Sequence, residues 1–324
     1  MSAEAAGNGS ASNGPATHES SASSYYGQAI IKEPVWTWEI PCYLFAGGLA
    51  GASAGLAYLT GLRGEDELER RAWMLALTGV GVSPVLLISD LGRPARFLNM
   101  LRMFKVTSPM SVGSWVLSVS GASTALAAVN SLLGLLPAPA RLARPLAAAS
   151  GLPLATYTGA LLSNTAVPVW HEGRRELPFV FAAGAAASAG ALTCVVSEPR
   201  HASPARRLAL AGACGEILAT KLMKRRLGEL ASPYHEGRAG QLSRLASAST
   251  LLGAGLLAIA AHRGSRAGAR AGGAAIAAGA LAERWSIFRA GFQSAADPRQ
   301  VVGPQRERIR AGASAGASRT GAPT

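Results

Sequence analysis

Six apolar runs, each about as long as a bilayer crossing, constrain this chain more than any other feature. They are Cys42 to Leu62, Trp73 to Leu91, Trp115 to Leu136, Leu146 to Val167, Phe179 to Ser197 and Leu245 to Ala261. At a helical rise of about 1.5 Å per residue, each can cross a hydrocarbon core of roughly 30 Å. Two further runs are less apolar. Leu208 to Met223 carries Glu216 and Lys221, and Ala267 to Leu281 is almost wholly Ala and Gly, with Arg270 near its start. With both counted, the pattern predicts an all-α integral membrane protein of about eight transmembrane helices in a bundle. Charged residues make up 15% of the whole chain, a mean raised by a polar head, basic loops and a polar tail, so the local windows decide the class.

The formal net charge of +13 needs a location. Lys and Arg sit in short loops between the apolar runs with no stacking aromatics interleaved, a pattern that argues against nucleic acid and for membrane topology. Of the 31 basic residues, twenty fall on the face where the chain starts and eleven on the opposite face. With an even number of spans both termini share a side, and the positive-inside tendency puts that side in the cytoplasm of a multi-pass cell-membrane protein. Residues 1–24 are Ser, Ala, Gly and Asn with no basic start and no apolar core, so they read as a disordered polar head and not as a secretory signal. The membrane domain is expected over residues 25–296. Residues 297–324 read as a polar, disordered tail.

Cys42, Cys194 and Cys214 are far apart and form no paired-cysteine spacing, so no iron-sulfur cluster is expected. The histidines lie in the head (His18), in loops (His171, His201, His235) and at a span end (His262), where none faces another within the bilayer, so neither haem nor a metal site is expected.

Polar residues at particular depths remain. Gly47, Gly51 and Gly55, four apart on one face of the first span, allow close approach of a neighbouring helix. Pro84, with Gly79, Gly81 and Ser83, is expected to bend the second span and aim Asp90 at the bundle interior. An ionisable group within a span costs at least about 2.5 kcal/mol at the bilayer centre unless paired or wet, so each such group is a functional candidate. Asp90 and Arg93, three apart, form either a structural pair or part of a reactive site. Glu216 lies near mid-span with Lys221 only obliquely within reach, and is a candidate proton relay together with Asp90. Glu198 and Glu283 fall at span ends and are expected in solvated, interfacial positions.

Trp36, Trp38 and Tyr43 stand where the chain first meets the membrane, as interfacial anchors do, and Glu39 and Tyr43 are four apart on one helical face. The connection DLGRPARFLNMLRMFKVTSPMSVGSW, from Asp90 to Trp115, is Arg-rich and framed by Pro94, Asn99 and Pro109, which suggests a folded working surface.

With WTWEIPCYLFAGGLAG (Trp36 to Gly51), that connection, YTGALLSNTAVPVW (Tyr157 to Trp170) and ALAERWSIFRAGFQSAADP before Arg299, the chain resembles the NrfD family from about residue 25 to 305. These are the membrane subunits of polysulfide reductase and related respiratory molybdoenzymes. The resemblance implies a quinone pocket near the N-terminal face, with menaquinone or ubiquinone as bound substrate. It implies electron exchange with a docked iron-sulfur subunit of the multi-cluster ferredoxin-like kind, which serves a molybdopterin catalytic subunit such as a polysulfide reductase or formate dehydrogenase. Tyr157 resembles the family's tyrosine that bonds a quinone oxygen, though a hydroxyl bonding a neighbouring backbone is the other reading. Glu39, Tyr43, Asp90, Arg93, Asn164 and His171 would complete the pocket. Arg96, Arg102 and Lys105 would either dock the partner or touch anionic lipid. A proton or solute translocator and a passive anchor are the alternatives.

Overall fold

The structure, a computed structural model, describes residues 30–302 except Pro94. The head expected over residues 1–24 and most of the expected tail fall outside those residues. Ten α-helices follow one another: α1 (Glu39–Gly61), α2 (Asp66–Asp90), α3 (Ala95–Arg102), α4 (Pro109–Leu133), α5 (Pro137–Ser163), α6 (Pro168–Glu172), α7 (Leu177–Val196), α8 (Ser203–Leu227), α9 (Gly237–Arg263) and α10 (Arg266–Ala296). No strand occurs among the described residues. The fold is all-α, and each of the eight apolar runs lies largely within one of the eight long helices. Five of these, α1, α2, α4, α7 and α9, are long and apolar enough to cross a membrane. The helices α5, α8 and α10 match them in length; α8 and α10 carry Arg, Lys or Glu along their length, and α5 carries Arg141 and Arg144 with Pro145 and Pro153.

Local chemistry sets the ends. Ser108 caps α4 through the Ser111 amide and Pro109 opens its first turn, where a missing N–H costs no hydrogen bond. Gly134 closes the same helix at φ 71°, a left-handed geometry that glycine adopts without a Cβ clash. That cap explains why α4 stops before the Leu136 expected from hydropathy. Likewise α5 stops at Ser163, and Val167 instead leads into α6. Pro84 lies inside α2, which runs unbroken to Asp90.

The long helices alternate in direction, so the starts of α1, α4, α7 and α9 gather at one end of the bundle, called here the proximal end. Contacts confirm this. Trp36, before α1, stacks on Trp170 of α6 at 5.6 Å, and the Trp170 indole donates to the Ile287 carbonyl of α10 at 2.8 Å. Trp36 is therefore packed rather than a free anchor, whereas Trp38 is 58% exposed and fits the anchor role. At the distal end Arg144 of α5 reaches Glu69 of α2 at 3.2 Å.

Close packing rests on glycine at particular crossings. A Cβ on Gly51 would strike the Gly151 carbonyl of α5, and one on Gly151 would strike that of Gly51. The small-residue face of α1 is thus a contact at Gly51, while a Cβ on Gly55 would meet nothing within 4 Å. Two buried groups form, one around α1, α2, α4 and α5 and one around α7 to α10, with α1 and α5 also packing on α7.

One expectation fails. The last span does not end at Leu281: α10 runs fifteen residues further, and Glu283 is 4% exposed rather than interfacial, because this stretch packs against α9 and α7. Residues 298–302 are helical, and the Gln300 amide, buried, donates to Ser232 at 2.8 Å.

Candidate functional site

The site builds from the proximal ends of α1, α2, α4 and α5. Glu39 opens α1, where a carboxylate complements the positive end of the helix dipole, and Tyr43 follows one turn below it. Asp90 ends α2 and turns toward the same place. Thr37, just before α1, joins them: its hydroxyl lies in hydrogen-bond contact with Glu39 and 2.9 Å from Asp90 Oδ1, and its amide donates to the same oxygen at 3.2 Å. Asp90 thus spends its hydrogen bonds on Thr37. No Asp90–Arg93 ion pair forms among the described residues, which removes the structural-pair reading.

Tyr157 reaches the site from α5. Its ring lies against Gly113 of α4, where any Cβ would collide with the ring and hydroxyl. Depth along the helices places these groups at one level. Tyr43 is four residues inside α1, Gly113 four inside α4 and Tyr157 six inside α5, or about 6–9 Å below the proximal end at 1.5 Å per residue. Tyr43 is buried and Tyr157 half-buried, and neither hydroxyl bonds another described residue. Just below, the buried Ser83 hydroxyl of α2 faces Gly47 and has no partner. Buried polar groups are nearly always paired, so the unpartnered Ser83 hydroxyl below the two tyrosines is what a polar ligand or water would satisfy.

Glu39, Tyr43, Asp90 and Tyr157 are therefore brought together. Arg93, Asn164 and His171 lie on the same end of the bundle but are exposed. Arg96, Arg102 and Lys105 are exposed on and after α3, and Arg96 also donates to the Leu91 carbonyl at 3.2 Å, covering the C-terminus of α2. The connection is folded as expected, with Ser111 Oγ donating to the Met103 carbonyl and accepting from the Lys105 amide. Thr37, Gly113 and Ser83 were not singled out from sequence. A glycine opposite a tyrosine is visible only once the helices are paired.

Glu216 lies in the other half of the bundle. Its partner is Arg284 of α10, Nη1 to Oε1 at 2.7 Å, and not Lys221, which is exposed. Arg284 also donates to the Phe181 carbonyl at 3.0 Å and sits over the Phe181 ring. Gly184 leaves the space for this pair, since a Cβ there would collide with both side chains. Glu283, Thr220 and Tyr234 lie alongside, each with a buried oxygen that has no partner. Burial, and then the neighbouring Glu283 carboxylate, push the Tyr234 phenol above its ordinary range. Among the described residues, no three His, Cys, Asp or Glu side chains gather as metal ligands.

Fold and site together define a multi-pass, all-α membrane protein with a cluster of neutral and acidic groups just inside one end of the bundle. The chain belongs to the polysulfide reductase family NrfD_2, which matches residues 22–296. It is accordingly a membrane subunit of a redox complex. No curated protein matches the chain.

Proposed function

We propose that this subunit exchanges electrons between a membrane quinone, menaquinone or ubiquinone, and a docked iron-sulfur subunit that serves a molybdopterin-type catalytic subunit. The observation that carries the reading is the pair of hydroxyls of Tyr43 and Tyr157, bonded to no described residue, about a turn inside the carboxylates Glu39 and Asp90 that Thr37 bridges. A quinone needs hydrogen-bond partners for its ring oxygens, a proton acceptor or donor, and an apolar surround.

Tyr157, fixed against Gly113, bonds one ring oxygen, and the first-helix group around Tyr43 receives the other. Oxidation of a quinol releases two electrons and two protons. The electrons leave for the partner, and the protons pass to Glu39 and Asp90, which are half-buried and open toward the proximal end. In the reducing direction the same groups supply protons. Arg93, Asn164 and His171 border the mouth, and Arg102 and Lys105 present positive charge to an acidic partner surface. The cytoplasmic placement of the proximal end belongs to the same proposal, as does the crossing of the membrane by all eight long helices.

The test is quinone-linked activity of the assembled complex with Tyr157→Phe. A loss of about tenfold or more, with the complex intact, supports the assignment, and wild-type turnover overturns it.

The buried series Glu216, Arg284, Glu283, Thr220 and Tyr234 favours a second reading, in which Glu216 relays protons. Its measure is proton uptake by liposomes containing the complex, with Glu216→Gln against wild type.

A further inference from the structure

The distal half of the bundle holds a different feature. A groove of about 560 Å³ runs between α1, α5, α7 and α8. Its walls are almost wholly Gly, Ala and Leu. Gly51 and Gly151 meet backbone to backbone at its inner end, and Gly55 faces open space in its middle. Leu59 and Leu152, on its rim, are 57% and 66% exposed, so it opens sideways toward lipid.

The polar side chains in this wall are Thr60, Arg63 and Arg207. Thr60 turns its hydroxyl back onto the Leu56 and Ala57 carbonyls of its own helix, at 2.9 and 3.0 Å. That leaves two guanidiniums. Arg63 follows the C-terminus of α1 and Arg207 lies in the second turn of α8, so both stand at the distal aqueous level. Both are exposed, and neither pairs with a carboxylate among the described residues. From Arg63 to Gly51 the groove follows α1 for twelve residues, about 18 Å. The half-thickness of a hydrocarbon core is about 15 Å.

Positive charge at headgroup level, above a lipid-facing apolar slot that reaches the bilayer centre, matches one chemistry. We propose that the groove binds an anionic phospholipid, its phosphate held by Arg63 and Arg207 and one acyl chain lying along Gly55 toward Gly51 and Gly151. Guanidiniums bind phosphate through paired N–H donors, and basic pockets between transmembrane helices select acidic headgroups. A partner's transmembrane helix, about 10 Å across, is too thick for a recess of this volume. The site lies at the far end of the bundle from Tyr157 and does not depend on the quinone reading.

The experiment is native mass spectrometry of the full chain purified in mild detergent, then lipid-stripped and supplied with phosphatidylglycerol, phosphatidylcholine or inorganic phosphate. Wild type is expected to retain about one anionic lipid per chain and to prefer phosphatidylglycerol to phosphatidylcholine by about tenfold. The double variant Arg63→Gln, Arg207→Gln should lose that preference. Gly55→Leu, at a position where a Cβ would meet nothing within 4 Å, should displace the lipid while leaving Tm in lipid-free detergent unchanged. Equal binding of the two lipids by wild type, or unchanged preference in the double variant, overturns the proposal. So does retention of the lipid by Gly55→Leu. Full competition by inorganic phosphate would make the guanidiniums a simple anion site and overturn it as well.

Discussion

The two halves of the bundle bury polar groups in different ways. Around α8 and α10 the charges are deep and matched: Glu216 faces Arg284, both under a twentieth exposed, with a carbonyl and an aromatic ring completing the arginine's surroundings. Around α1, α2, α4 and α5 the polar groups are shallower: Glu39, Asp90 and Tyr157 are half-buried, the two carboxylates meet Thr37, and the Tyr157 hydroxyl bonds no described residue. A matched charge out of reach of solvent holds helices in place. An unmatched hydroxyl near an opening is positioned for something that arrives. Substitutions in each half test that contrast, beginning with the largest effect.

Removing one member of the deep pair leaves the other buried and uncompensated, which costs about 3–5 kcal/mol. Arg284→Met should therefore sharply reduce the protein recovered from membranes and lower its Tm. Replacing both members by apolar side chains, Glu216→Leu with Arg284→Met, should restore much of that stability, because no charge remains to be desolvated. If the double variant is as unstable as the single one, the pair does more than hold the fold.

In the other half the sensitive position is a glycine. Gly113→Val would drive a branched side chain into the Tyr157 ring, and overpacking of this kind costs about 1–3 kcal/mol. Quinone-linked activity should fall to background while the complex still assembles, since the ring must leave its place. Tyr157→Phe keeps the packing and removes only the hydroxyl, so Tm should move little while activity falls about tenfold, the equivalent of about 1.4 kcal/mol. If Gly113→Val kept its activity, Tyr157 would not be the ligand-facing residue.

Much of the fold was readable in the sequence because hydrophobicity and length are local properties. Eight long helices follow directly from eight apolar runs, and loop glycines such as Gly134 set their ends. What could not be read was pairing across the bundle. Glu216 has a neighbour five residues away in Lys221, yet its partner is Arg284, sixty-eight residues on, because α8 and α10 both turn a polar side toward α7. The end of α10 was misplaced for the same reason: Glu283 and Arg284 look like a boundary in a hydropathy window and are buried by tertiary contacts. At the site, the tyrosines and carboxylates stood out by type and depth. Thr37 did not, since a threonine between two tryptophans at a membrane surface carries no signal until Asp90, fifty-three residues later, is folded against it.

Thr37 also gives the finest test. Its single hydroxyl proton can be donated to Glu39 or to Asp90 but not to both at once, so the two carboxylates compete for it when both are ionised. On the proposed function, a proton from bound quinol would relieve that competition by protonating one carboxyl, which then donates back to the threonine oxygen. Thr37→Val removes the bridge while keeping the shape, and Thr37→Ser keeps both. Because these groups are partly solvated, the effect is modest: about a threefold loss of quinone-linked activity in the valine variant, with the serine variant close to wild type. A valine variant with wild-type activity would show that Thr37 only closes the start of α1, and that Glu39 and Asp90 handle protons independently.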